Sequence, residues 1–288
     1  MGTGRSGTTI MDILLSNNRG MTGCGEITRL FGEGVFEDDC ACGREVRSCH
    51  LWSPVLERFS GQDREHLNAV IRAVERHGLF FFLAVGLRPK KLMMKYAALN
   101  QALFEALFEH GGSIVDSSKY ASRALLLSEL FPGRVKVLCL TRSPEGLINA
   151  FAKRGVEQPP KSLLGVALYY CYNALCFRFV ISRLRGDVVK IRYEDMIADP
   201  IAVLLEIEHD LGIDLSDVRA KLINGEGLDP GHIAAGNRLR RRKNIYFKKG
   251  LKSESVQGVA KPVALLMRLI GGLLGLNPYR FRVRKRRI

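Results

Sequence analysis

The residues best suited to chemistry stand at the start of the chain. Gly2-Thr3-Gly4-Arg5-Ser6-Gly7-Thr8-Thr9 runs directly into Ile10-Met11-Asp12-Ile13-Leu14-Leu15, whose apolar residues recur at helical spacing. Glycines let successive backbone N–H groups converge, and the helix N-terminus adds the positive end of its dipole, so this stretch is suited to wrap an anion. Gly2 and Gly7 give half of a P-loop, but Thr8 stands where the phosphate-binding Lys would be. The anion it suits is a phosphate-like group other than a magnesium-bound triphosphate. The plainer alternative is a glycine-rich turn that caps a helix.

Three further charges are placed where chemistry could use them. Glu26 lies between a glycine and an apolar stretch in Cys24-Gly25-Glu26-Ile27-Thr28-Arg29; it either pairs with Arg29 or Arg5, or acts as a base. Lys119 follows the short apolar run Ser113-Ile114-Val115-Asp116, and Arg142 follows Val135 to Thr141. Cys40, Cys42, Cys49 and His50 fall within eleven residues; they could hold zinc, form a disulfide pair or remain free thiols on a loop. His66, His77 and His110 read as helix-surface or helix-end residues.

The elements that must position these groups alternate. Helices are expected over 10–16, 62–77, 92–110, from 119 to Leu130, and over 145–154, 162–184 and 200–212. Strands are expected at 113–116, 135–141 and 187–192. Strand, crossover helix, strand is the signature of a parallel sheet, and ligands of such sheets sit beyond the carboxyl ends of the strands, where Lys119 and Arg142 both fall. Tyr169, Tyr170 and Tyr172 on the long apolar helix read as core. The fold expected is α/β, a P-loop NTPase-like parallel sheet flanked by helices, with its first strand truncated because only Met1 precedes Gly2.

The formal net charge of +15 is concentrated. Residues 236–288 carry sixteen Lys or Arg against one acid, Glu254, and residues 1–235 are formally neutral. The chain therefore divides into an α/β domain, 1–256, and a basic, amphipathic appendage, 257–288. Val263 to Leu276 is a short apolar helix, and six Lys or Arg follow in residues 280–287; this suggests docking on an anionic membrane face, against the alternative of a solvated tail. Nucleic acid is a minor reading, since no nucleic-acid fold and little aromatic interleaving are visible. No signal peptide is visible, no apolar run reads as long enough to span a bilayer, and seven cysteines do not make a disulfide scaffold.

Taken together, Gly4-Arg5-Ser6-Gly7-Thr8-Thr9, Leu140-Thr141-Arg142-Ser143-Pro144 and Arg192-Tyr193-Glu194-Asp195 resemble, in order and spacing, the sulfotransferases that use 3′-phosphoadenosine 5′-phosphosulfate (PAPS). The resemblance covers residues 2 to about 240 and is nearest to the bacterial carbohydrate-type members and the tyrosylprotein sulfotransferases. It implies a metal-independent transfer of a sulfuryl group from PAPS, as co-substrate, to a hydroxyl acceptor, a carbohydrate or glycolipid. A tyrosyl-protein or small-alcohol acceptor, or a non-catalytic nucleotide-binding protein, are the alternatives. Arg5, Ser6, Gly7, Thr8 and Thr9 would wrap the 5′-phosphosulfate; Arg142 and Arg154 would take the 3′-phosphate, and Tyr193 would lie against the nucleotide. Glu26 would be the base and Lys119 the stabiliser of the transition state, with Arg5 adding positive charge. Asn237 and Arg238 resemble a C-terminal cofactor loop. The family usually places a Ser eight residues after the Arg; here that position is Ala150, and Asn149 beside it is the expected substitute. The reading implies a cytoplasmic protein, peripheral at the inner membrane face.

Overall fold

The computed structural model describes residues 1–153, 160–184, 186–247 and 255–276. Among these the chain forms α1 (Thr8–Ser16), β1 (Met21–Gly25), α2 (Trp52–Glu57), α3 (Arg64–Glu75), α4 (Phe80–Ala84), α5 (Lys90–Phe108), β2 (Ser113–Asp116), α6 (Ala121–Leu130), β3 (Val137–Thr141), α7 (Pro144–Ala152), α8 (Leu163–Arg183), β4 (Val188–Arg192), α9 (Tyr193–Ala198), α10 (Pro200–Leu211), α11 (Ser216–Ile223) and α12 (Ala260–Leu273). It is an α/β fold in which every strand pairs parallel to its neighbour. β1 lies beside β2 from Met21 opposite Ser113, and β3 beside β4 from Val137 opposite Val188 to Thr141 opposite Arg192.

Met1 and Gly2 join the two strand pairs near their carboxyl ends. Gly2 bridges Leu140 in parallel, and its N–H donates to the Lys119 carbonyl at 3.1 Å. Met1 and Gly2 thus lie alongside the end of β3, where a strand ahead of the loop would pair. Below them a cavity of about 500 Å³ separates β2 from β3, lined by Ile114, Val115, Val137 and Leu138 among others.

Helix ends follow local chemistry. Ser143 caps α7 by accepting from the Gly146 N–H at 3.1 Å, with Pro144 in the first turn where its missing N–H costs nothing. Asp199 caps α10 by accepting from the Ala202 N–H, and Gly212 closes that helix at φ 64°, a left-handed conformation that glycine adopts without the penalty other residues meet. α1 packs on β1 and β2, with Met11, Ile13, Leu14 and Leu15 all buried. A second core gathers Phe31, Trp52, Phe59 and Leu103 under the loop 38–52.

α8 is long and apolar enough to cross a membrane on length and composition, contrary to the expectation from the sequence. Its Tyr170, Ala174, Phe177 and Val180 are nevertheless buried within the fold. α12 lays Ala264 and Met267 against α7 and α8, and leaves Leu265, Leu266, Leu269 and Leu273 exposed.

Candidate active site

The loop before α1 is wound tightly. Arg5 holds φ 66°, the one non-glycine with positive φ among the described residues, and Gly7 holds φ 88°. A Cβ on Gly7 would lie 2.6 Å from the Tyr193 ring, so only glycine allows that ring so close. No side chain caps α1, which leaves the N–H groups of its first turn and its dipole directed at the cleft. The cleft, about 310 Å³, is lined by Arg5, Gly7, Thr8 and Thr9 of the loop, by Glu26 and Lys119, and by Arg142, Tyr193 and Asn237. It is smaller than the cavity between β2 and β3, but the candidate chemistry converges here and the larger space is lined chiefly by the sheet interior.

Two cationic arms reach in from strand ends. Arg142, one residue past β3, donates to the Arg5 carbonyl at 2.8 Å and lies 4.2 Å from the Tyr193 ring centroid. That stack fixes the guanidinium plane beside the loop, and it arises because β3 and β4 end in register at Thr141 and Arg192. Lys119, three residues past β2, bonds the Glu26 carboxylate directly, with side chains only 16% and 11% exposed. Of the partners considered from the sequence, Arg29 stands at 3.9 Å from Glu26 and is itself mostly exposed, so Lys119 is the principal partner.

Both members of the Glu26–Lys119 pair are held by buried polar groups. The Glu26 N–H donates to the Ala235 carbonyl at 2.8 Å. Asp12 on α1 accepts from the Gly25 N–H at 3.0 Å, fixing the end of β1. Burial pushes the Asp12 carboxyl up to about 7, opposed by the Ser117 hydroxyl and the Gly25 N–H and reinforced by Asp116 and Glu26. Ahead of Lys119, Asp116 accepts from the Ser118 N–H at 2.9 Å and from Arg123 at 2.6 Å, and Arg123 also reaches Glu75 at 2.6 Å.

Not every residue expected at the site faces it. Ser6 is wholly buried and its hydroxyl donates to the Thr3 carbonyl, so its side chain serves the loop itself. Asn149 gives its amide N–H to the Ser255 carbonyl at 3.1 Å, while Ala150 lines the cleft; Asn149 therefore does not stand in for a hydroxyl there. Arg238 lies in a short 3-10 turn, outside the cleft lining. Arg154 lies outside the described residues.

Other residues enter that the sequence did not mark. Lys153 adds positive charge to the cleft, as does Arg29, which the sequence marked only as a partner for Glu26. The Tyr169 hydroxyl accepts from the Gly4 N–H at 2.8 Å, so this tyrosine of α8 braces the loop as well as the core. His77, expected on a helix surface or at a helix end, lies just past the end of α3 and packs against Tyr120 and Tyr169, and burial together with Lys161 lowers its pKa to about 4. A lone carboxylate in the apolar run 10–15 was the available signal for Asp12; none existed for Tyr169. The cysteine loop lies outside this cleft and gathers a different histidine from the one expected, as described below.

Residues 1–217 match the sulfotransferase family. Among solved structures, the chain is similar to the sulfotransferase domain of the Synechococcus PCC 7002 olefin synthase, at 18% identity over 95% of this chain and 92% of that one, TM-score 0.49. It is also similar to the sulfotransferase domain from the curacin biosynthetic pathway, at 15% identity over 93% and 94%, TM-score 0.48. No curated protein matches the sequence.

Proposed function

The chain belongs to the sulfotransferase family, and we propose that it transfers a sulfuryl group from PAPS to a hydroxyl of a carbohydrate or glycolipid. The observation that carries this reading is one cleft holding an uncapped helix N-terminus, Arg142 stacked on Tyr193, and the Glu26–Lys119 pair. The first suits the 5′-phosphosulfate, the second a nucleotide with a further phosphate, and the third the removal of a proton.

In this reading the acceptor oxygen attacks sulfur in line, the bond from sulfur to the 5′-phosphate oxygen breaks, and the acceptor proton passes to Glu26. Negative charge grows on the bridging oxygen, and Arg5, Lys119 and the loop N–H groups are the fixed positive groups near it; one such donor is worth roughly 3 kcal/mol of barrier. Lys119 has two roles in sequence: it holds Glu26 before substrate binds, then turns to the sulfuryl oxygens as Glu26 takes the proton. These steps need no metal ion.

Isothermal titration with 3′,5′-adenosine diphosphate, run beside ATP with magnesium, tests the donor. Tight binding of the bisphosphate, abolished in Arg142→Ala, supports PAPS. Binding of ATP instead would overturn it. Ala150 in the cleft favours one further reading, a protein that binds the nucleotide weakly or without turnover; sulfate transfer to any acceptor from labelled PAPS would exclude that.

The exposed leucines of α12, with the basic residues that follow in sequence, support peripheral docking on an anionic cytoplasmic membrane face and hence a lipid-linked acceptor. Equal flotation of the full chain and a chain ending at residue 256 with anionic liposomes would refute the docking.

A further inference from the structure

The loop 38–52 and the loop around residue 232, far apart in sequence, bring three thiols and one imidazole to a point. Cys42 Sγ lies 3.7 Å from Cys49 Sγ, and Cys49 Sγ lies 3.4 Å from His232 Nδ1. One ligand atom from each of Cys40, Cys42, Cys49 and His232 falls within 4.8 Å of all the others. We propose that these four residues bind one zinc ion.

The distances select this reading over the alternatives. A tetrahedral zinc with Zn–S of about 2.3 Å and Zn–N of about 2.0–2.1 Å has S···S edges of about 3.8 Å and S···N edges of about 3.5 Å. The Cys42–Cys49 and Cys49–His232 separations match those edges. A disulfide requires about 2.05 Å between sulfurs, and all seven cysteines are free. One ligand atom per residue, converging on a single point, fits a mononuclear ion, and three thiolates with an imidazole are soft ligands that favour zinc. On binding, the thiols lose their protons to solvent as the Zn–S bonds form.

The surroundings are those of a built site. Cys40 and Cys49 are buried, and their N–H groups donate to the Arg44 carbonyl at 2.8 Å and the Val46 carbonyl at 3.3 Å, so the backbone that carries these two sulfurs is fixed within the loop. Gly43, at φ 85°, turns the chain after Cys42, and its N–H donates to the Cys40 carbonyl at 2.9 Å. His50, the imidazole adjacent in sequence, packs edge-on against His232 with ring centroids 4.4 Å apart; the nitrogen ligand comes from His232 instead. Trp52 Nε1–H donates to the His232 carbonyl at 2.7 Å, and the Ala41 N–H to the Ile233 carbonyl at 3.1 Å.

The ion would be structural, with a consequence for the cleft. His232 is three residues before Ala235, whose carbonyl holds the Glu26 N–H, and five before Asn237, which lines the cleft. Zinc would pin the loop 232–237 to the loop 38–52 and so fix the backbone behind Glu26. It is a positioning element that touches no reacting atom, and it holds whether or not PAPS is the donor.

The test is metal analysis of the untagged full chain, purified under reducing conditions from zinc-supplemented growth, by plasma mass spectrometry. The expected result is one zinc per chain, falling to background in Cys42→Ser, the exposed ligand whose replacement disturbs packing least. Cobalt exchange should give the ligand-field bands of a tetrahedral thiolate site. Alkylation counted by mass spectrometry should show Cys40, Cys42 and Cys49 shielded, and opened by a strong chelator in a chain that keeps its circular dichroism. Zinc at background after growth and after anaerobic titration with zinc, iron in its place, or a Cys42–Cys49 disulfide in the reduced-purified chain would each overturn the proposal. Because metal content and thiol reactivity are read without turnover, failure here is separate from failure of the sulfotransfer reading.

Discussion

Replacing Asp12 by Asn should remove a large part of the pH dependence of folding. The carboxyl is 1% exposed on α1, and burial pushes it up to about 7. In an unfolded chain it would titrate near 3.9. Between those values the folded chain holds a proton that the unfolded chain has released. Its contribution to stability is therefore full below about pH 4 and is lost as pH rises through about 7. About three pKa units of difference correspond to a loss on the order of 4 kcal/mol across that window. Asn cannot ionise and keeps an oxygen for the Gly25 N–H. Urea unfolding of both chains at about pH 5 and about pH 8 isolates the contribution of the Asp12 carboxyl, since other titrating groups are common to both. The advantage of Asp12→Asn should grow by about 3 kcal/mol between the two pH values. A difference that stays constant from pH 4 to 8 would refute the linkage argument and mean that Asp12 remains ionised in the folded chain.

Glu26→Gln should lower kcat by about 10²- to 10⁴-fold while leaving 3′,5′-adenosine diphosphate binding within a few-fold; unchanged kcat would remove Glu26 as the base. Gly7→Ala should abolish nucleotide binding, because the added Cβ lies 2.6 Å from the Tyr193 ring at a backbone φ of 88°; calorimetry with the bisphosphate reads this directly. Arg123→Leu should cost about 3–5 kcal/mol in urea unfolding, since it leaves the buried Glu75 and the mostly buried Asp116 without their cation. A loss below about 1 kcal/mol would show that the network is neutralised some other way.

The sequence revealed those parts of the site that follow from local rules. Gly7, Arg142 and Lys119 could be read because glycine spacing and cations at the ends of apolar runs carry a signal within a few residues. The strand ends and the capped helices α7 and α10 could be read for the same reason: Ser143-Pro144 and Asp199-Pro200 are start signals, and Gly212 is a stop. Side-chain direction could not be read. Whether Ser6 faces anion or loop, and whether Asn149 faces the cleft or Ser255, depends on rotations that spacing does not fix. Long-range partners were out of reach as well. Tyr169 meets Gly4 across 165 residues, and His232 meets Cys49 across 183. His50 was the natural candidate by adjacency, but adjacent residues in a turn need not point the same way.

Trp52 is the one tryptophan in the chain. It is fully buried, and its indole N–H is committed to the His232 carbonyl, at the seam where the cysteine loop meets the loop that carries Ala235 and Asn237. The protein therefore contains a single intrinsic fluorophore at that seam. Excited apart from the eight tyrosines, its emission registers whether water has entered between the two loops, independently of the helical signal from the rest of the fold. A red shift that precedes loss of helix would report the seam opening as a local event. Coincident transitions would report that the backbone behind Glu26 opens only when the whole domain does.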